Sequence, residues 1–276
     1  MPTMLTRLIP SSNEALPVVG LGTWQTFDVS TSAAKEPLKE VLTTMHQYGG
    51  TLIDSSPMYG RSEAVVGDLT AGSDLENQFF YATKVWTQGR EAGIRQMEES
   101  FTFMRRKTMD LMQIHNLVDW KTHLKTLNDW KASGKIRYIG ITHYTDSMHG
   151  ELEQILTSVP VDFVQFNYAI VSRNAEKRLL PAAADHGVAT LINRPLGEGN
   201  LFAKVRGKSL PEWAKDYEIE SWGQFFLKFI LSHPAVTCVI PGTSKPDHMA
   251  DNAKAGRGPM PDKATREKMA ALVAGF

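Results

Sequence analysis

The sequence predicts a (β/α)8, or TIM, barrel with an N-terminal β-hairpin and an extra C-terminal helix. Three observations carry that prediction. Short apolar runs alternate eight times with longer amphipathic runs. The 276 residues suit one such barrel. No linker-like stretch divides them, so residues 1–276 read as a single barrel domain.

The elements follow in order. "VVGLGTW" (18–24) is strand-like, and Ser32–Gln47 is a helix with Leu38, Val41, Leu42 and Met45 at helical spacing. "TLIDSS" (51–56) is the second barrel strand, with a short helical stretch over 62–69. "FFYATKV" (79–85) precedes a helix over 91–106 that aligns Ile94, Met97, Phe101 and Met104. "MDLMQIH" (Met109–His115) precedes Trp120–Ala132, which stops at Gly134. "IRYIGIT" (Ile136–Thr142) is followed by a helix over 147–156, and "VDFVQFN" (161–167) by one over 175–186, closed by Gly187. "VATLINRP" (188–195) leads through a long connection to a helix over 220–232. "VTCVIPG" (236–242) is the last strand, before a helix over 246–253.

Two segments lie outside this count. Residues 4–19 pair "LTRLIP" with "ALPVV" around "SSNE" as a hairpin, and 262–273 form the additional helix. The connection 197–219 carries Lys204, Arg206 and Lys208 and reads equally as a lid or as a solvated loop. A doubly wound open sheet is the alternative architecture. It calls for a glycine-rich turn after the first strand, and "GLGTW" offers Gly20 and Gly22 without a third glycine. A tight strand entry is the better reading of that motif.

Composition narrows the function. Hydrophobic residues make up 42% of the chain, enough for a large core. Lys+Arg and Asp+Glu are both 30, which argues against nucleic acid and anionic membranes as partners. The single cysteine, Cys238, sits in an apolar run and reads as a buried structural thiol. "MPTMLTRLIP" has no long apolar core of a leader, and no stretch approaches a membrane span. The expectation is a cytoplasmic protein, or a periplasmic one if a signal was removed from a longer precursor. It is taken as a monomer or weak homo-oligomer.

In a barrel, chemistry gathers where the strands end. Asp54 and Tyr59 follow the second strand, Lys84 ends the third, and His115 ends the fourth. Each has an ordinary structural role when taken singly: helix cap, rim aromatic, solvated strand end, satisfied core histidine. Four of them on adjacent strands suit proton transfer at a carbonyl or alcohol oxygen. A free tyrosine, with a pKa of about 10, shuttles protons poorly near neutrality. A neighbouring ammonium is expected to lower that pKa, with a carboxylate holding the ammonium in place. No serine or cysteine nucleophile is arranged with a base. A metal site built from His115, Asp54 and His143 is the sparser alternative.

These four residues resemble the catalytic tetrad of the aldo-keto reductases. "GLGTW", "LIDSSPMYG", "YATKVW", "GKIRYIGIT", "VQFNY", "RPLGEG" and "VIPGTSKPDHMADN" follow in that family's order across nearly the whole chain. The resemblance implies a barrel whose bottom the hairpin closes, and hydride transfer from a nicotinamide coenzyme to an aldehyde or ketone. It implies Tyr59 as proton donor, Lys84 tuning it, Asp54 paired to Lys84, and His115 orienting the carbonyl. For the coenzyme it implies Thr142, His143 and Gln165 at the nicotinamide end. Arg194, Pro195 and Leu196 follow the seventh strand, Arg194 within reach of the pyrophosphate or paired with an acid at the rim. Gly242, Thr243, Ser244, Lys245, His248, Asp251 and Asn252 stand at the adenosine end. Thr243 and Ser244 are expected to cap a helix start that receives an anion. The substrate pocket falls at Trp24, Trp86 and Asn116, suited to an apolar or aromatic small-molecule carbonyl.

The chain departs from the family pattern in three places. Gly242 and His248 stand where many members carry lysine and arginine, so NADPH is expected and NADH stays open. Thr142 and His143 replace a Ser-Asn pair. Asn193 and Arg194 stand where many members carry a tyrosine stacked on the nicotinamide. Two further readings compete: a cofactor-binding regulatory or redox-sensing subunit with little turnover, and a metal-dependent barrel hydrolase or isomerase.

Overall fold

The computed structural model describes residues 3–276. Met1 and Pro2, the start of the segment read above for a leader, lie outside the described residues. The uniformly apolar runs become parallel strands buried on both faces, one toward the barrel axis and one toward the helices. After a hairpin of β1 (Thr6–Ile9) and β2 (Glu14–Pro17), the barrel strands are β3 (Leu21–Gly22), β4 (Leu52–Asp54), β5 (Phe80–Val85) and β6 (Met109–His115). They continue as β7 (Ile136–Thr142), β8 (Phe163–Asn167), β9 (Ala189–Asn193) and β10 (Cys238–Val239). Each pairs in parallel with its sequence neighbour.

Bridges Val19↔Val239 and Gly22↔Gly242 bring the last strand onto the first. That closure explains "GLGTW". A Cβ on Gly20 would lie 2.7 Å from Leu52 O, and one on Gly22 2.8 Å from Ile240 O. Only glycine fits where these backbones converge.

The helices are α1 (Ser32–Gln47), α2 (Ser62–Thr70), α3 (Arg90–Phe103), α4 (Trp120–Ala132), α5 (His149–Ser158) and α6 (Leu179–Asp185). The rest are α7 (Asn200–Lys204), α8 (Trp222–Leu231), α9 (Pro246–Lys254) and α10 (Lys263–Ala274). α1 buries Leu38, Val41, Leu42 and Met45, as its spacing predicts, and Thr31 caps it by accepting from Ala34 N at 3.2 Å. The interior of the barrel holds Leu52, Phe80, Leu111, Tyr138, Phe163 and Leu191, with Ile9 and Leu16 of the hairpin in the same cluster. The hairpin thus plugs the bottom. Tyr138 fastens it there by donating its hydroxyl to Ser12 Oγ at 2.7 Å.

Several boundaries move for local reasons. The helix expected over 91–106 ends at Phe103, and Arg105 takes the left-handed conformation. The helix expected over 147–156 opens with a 3₁₀ turn, Asp146–Met148, and runs to Ser158. The one expected over 175–186 splits into a 3₁₀ turn (Asn174–Lys177) and α6. The connection 197–219 is not slack: it contains α7, and Trp222 Nε1 donates to Lys208 O at 2.9 Å. Its Lys204, Arg206 and Lys208 are exposed. Among the described residues no helix is long and apolar enough to cross a membrane. Cys238 is fully buried, and burial pushes its thiol well above the ordinary range, which leaves it inert.

Candidate active site

The C-terminal ends of β4, β5 and β6 bring Asp54, Lys84 and His115 together, and the turn after β4 adds Tyr59. Lys84 is wholly buried, and its Nζ donates to Asp54 Oδ2 at 2.6 Å and to Ser55 O at 2.7 Å. Burial works against its charge. Asp54 and Tyr59 more than offset this, leaving the Lys84 pKa above its ordinary value. The ammonium lies 4.9 Å from the centre of the Tyr59 ring.

Tyr59 departs from expectation. Its pKa is raised rather than lowered. Burial penalises the phenolate most, Asp54 adds to that, and Lys84 offsets only part of it. Tyr59 therefore stands as a protonated phenol across neutral pH. Its ring meets the His115 ring edge-on, with centroids 5.7 Å apart at 87°.

His115 is held neutral. Burial, then Lys84 and His143, lower its pKa to about 2. Its Nδ1 lies 2.9 Å from the Oγ of fully buried Ser56. That oxygen already accepts from Met58 N at 3.2 Å. The Ser56 proton has no other acceptor among the described residues, so it is directed at Nδ1. This assigns the remaining ring proton to Nε2.

A second polar layer runs across the barrel from Asp54. Its Oδ1 accepts from Gln113 Nε2 at 2.8 Å and Gln165 Nε2 at 3.0 Å. Gln165 Nε2 also donates to Gln113 Oε1 at 2.9 Å. Asn193 Nδ2 in turn donates to Gln165 Oε1 at 3.4 Å and His143 O at 3.2 Å, while Asn193 Oδ1 is buried with no partner. Gly140 makes room for this layer, since a Cβ there would lie 2.9 Å from Gln113 Cγ.

The remaining sequence-predicted residues divide by place. Trp24 and Trp86 are 40% and 42% exposed at the rim, with Met58 at 41%. The Trp86 ring centre is 6.3 Å from that of His115. Asn116 follows in the left-handed conformation. Thr142 pairs in register with both His115 and Gln165. His143 turns back on its own loop, where its Nδ1 accepts from Tyr144 N at 2.9 Å. It joins no metal cluster among the described residues. Arg194 pairs with Glu198 at 2.6 Å and lies over the Tyr144 ring, the rim pairing rather than a free cation. Pro195 is buried beside it and Leu196 partly so.

At the end expected to hold the adenosine, Lys245 precedes Pro246 and makes no side-chain cap. The expected capping by Thr243 or Ser244 does not form. Thr243 Oγ1 instead accepts from Lys245 N at 3.1 Å, the amide of the N-cap residue itself rather than that of N2 or N3. Gly242, Ser244, Lys245 and His248 are exposed. Asp251 accepts from Ser221 Oγ at 2.6 Å and Gln224 Nε2 at 2.7 Å, and Asn252 is buried.

The residues missed from sequence are Ser56 and Gln113. Gln113 left one legible signal: a lone amide between the buried apolar residues Met112 and Ile114 of its strand.

A family model described as the aldo/keto reductase family matches residues 18–269. The chain is 27% identical over 203 residues to aldo-keto reductase YhdN of Bacillus subtilis, covering 68% of this chain and 60% of that one. It is 35% identical over 164 residues to an uncharacterized oxidoreductase, C215.11c, of Schizosaccharomyces pombe, covering 57% and 51%. The chain thus spans about half to three-fifths of the length of these two relatives. Among solved structures, an aldo-keto reductase from Klebsiella pneumoniae in complex with NADPH has a TM-score of 0.80 at 23% identity, with 99% of this chain and 95% of that one covered. The holo form of aldo-keto reductase AKR11C1 from Bacillus halodurans has a TM-score of 0.75 at 20% identity, covering 98% and 96%. At those identities the structural likeness speaks for the fold, while the match over 18–269 speaks for descent: the chain belongs to the aldo/keto reductase family.

Proposed function

We propose that this protein reduces an aldehyde or ketone to the alcohol with NADPH, with Tyr59 as proton donor. The observation that carries the reading is the buried Lys84–Asp54 pair set beneath Tyr59 and beside neutral His115. The residues present fit a nicotinamide coenzyme. The barrel mouth holds an unpaired buried acceptor, Asn193 Oδ1, beside Gln165, whose register partner is Thr142. The start of α9 offers free backbone N–H groups, with exposed Lys245 and His248 nearby for a phosphate. Arg194, Pro195 and Leu196 would border the pyrophosphate, and Asp251 and Asn252 the adenine.

When bound, the nicotinamide supplies the hydride. His115 donates from Nε2 to the carbonyl oxygen and orients it. Tyr59 gives its proton to that oxygen as negative charge develops there. Lys84 lowers the energy of the phenolate left behind, and Asp54 keeps Lys84 charged and fixed. Trp24, Trp86 and Met58 form an apolar rim, which supports an aromatic or apolar substrate. Residues 1–276 act in this reading as one barrel unit in the cytoplasm.

The test is a fluorescence titration of the purified protein with NADPH and NADH, then turnover on aromatic and aliphatic aldehydes followed by nicotinamide absorbance. Binding with turnover is expected, and Tyr59→Phe should bind coenzyme without turnover. Binding by the wild type with no turnover on any carbonyl would favour the sensor reading. Equal turnover by Tyr59→Phe would remove Tyr59 from its role.

A further inference from the structure

We infer that Asn193 recognises the carboxamide amino group of the coenzyme, offering it a hydrogen-bond acceptor of fixed direction. The inference deepens the reductase reading and rests on it.

The direction originates at Asp54. Paired with Lys84, its carboxylate is an acceptor only. Gln113 and Gln165 must both turn N–H groups toward Asp54 Oδ1. Gln165 Oε1 then faces Asn193, and His143 O faces it from the end of β7, two strands away. Two acceptors on that side demand the Asn193 NH2. A flipped amide would set Oδ1 against two carbonyl oxygens. Asn193 Oδ1 is therefore the open end of an oriented chain, and it is buried without a partner. An acceptor left in that state is destabilising until a donor arrives.

The missing donor is an N–H or O–H at the mouth of the barrel. Its neighbours do not fill the role. Gln165 gives its Nε2 hydrogens to Asp54 Oδ1 and Gln113 Oε1, and no described residue donates to Asn193 Oδ1. A primary amide lying against the polar layer supplies the required group. Asn193 thus contributes hydrogen bonding at a position from which no ring is available to stack on the nicotinamide.

The test uses the full chain and a coenzyme analogue, the 3-acetylpyridine form of NADP⁺, in which a methyl group replaces the carboxamide NH2. Affinities for NADP⁺ and the analogue are read by titration calorimetry, without turnover. The wild type should bind the analogue about tenfold more weakly, the worth of one hydrogen bond at a buried acceptor. Asn193→Ala should weaken NADP⁺ to the level of the analogue and leave the analogue within about twofold of its wild-type affinity. Equal wild-type affinities would overturn the inference, and that comparison needs no variant to fold. Discrimination that survives in Asn193→Ala would overturn it as well. Failure of the wild type to bind NADP⁺, NADPH or NADH at all is a different outcome, and it removes the reductase reading itself.

Discussion

Ser56 Oγ and His115 Nδ1 lie 2.9 Å apart in a buried contact, which assigns the imidazole proton to Nε2. Without that hydroxyl the ring keeps only its weak intrinsic preference between tautomers. Ser56→Ala should lower kcat for carbonyl reduction about fivefold, the worth of roughly 1 kcal/mol, with coenzyme affinity unchanged. The imidazole ¹⁵N spectrum should show a single tautomer in the wild type and a mixture in the variant. One tautomer in both would remove Ser56 from this role.

The pH profile follows from two shifted groups. His115 is lowered to about 2, chiefly by burial, so it stays a neutral donor and produces no inflection near its ordinary pKa of about 6.5. Tyr59 is raised, again chiefly by burial. A raised acid keeps its proton as the pH climbs and loses it only above its ordinary pKa of about 10. Reduction should therefore be flat from about pH 5 to about pH 9 and fall only beyond. An alkaline limb below about pH 8 in kcat would contradict the raised Tyr59.

The Lys84–Asp54 pair makes a prediction about stability. Removing one member leaves the other buried without its counter-charge, at a cost of about 3–5 kcal/mol. Lys84→Met should lose stability of that order in urea unfolding, and activity with it. The double variant Lys84→Met/Asp54→Leu should recover part of the stability and none of the activity. A double variant less stable than the sum of the two single losses would mean that Asp54's bonds to Gln113 and Gln165 matter more than its charge.

Coenzyme choice turns on His248. It is exposed in the first turn of α9, and a guanidinium there grips a phosphate more strongly than an imidazole. His248→Arg should raise the preference for NADPH over NADH about tenfold in affinity. Gly242→Lys is the poorer choice, since a Cβ there would lie 3.1 Å from Gly22 O, at the seam that closes the barrel. An unchanged ratio in His248→Arg would put the 2′-phosphate elsewhere.

Much of this was legible in the chain itself. Burial on both faces makes parallel strands read as continuous apolar runs, and one-sided burial gives helices their spacing. Those patterns located eight barrel strands, the hairpin and α10. They also set Asp54, Lys84 and His115 at strand ends, where the topology obliges them to meet. Helix ends were less legible, because α3 stops just before Arg105 turns left-handed and α6 is preceded by a separate short 3₁₀ turn.

The tertiary structure alone decided the rest. Local sequence carries no measure of burial at a site, so it pointed to a lowered Tyr59, whereas desolvation wins and raises it. Contacts between residues far apart in the chain are equally invisible. Gln113 meets Gln165 across 52 residues, and Ser56 meets His115 across 59. Arg194 finds Glu198 only because the turn after β9 folds back on itself. The sequence by itself determined which chemical groups stand at the barrel mouth. Their protonation and the direction of their hydrogen bonds came from burial and long-range packing, which exist only once the barrel has closed.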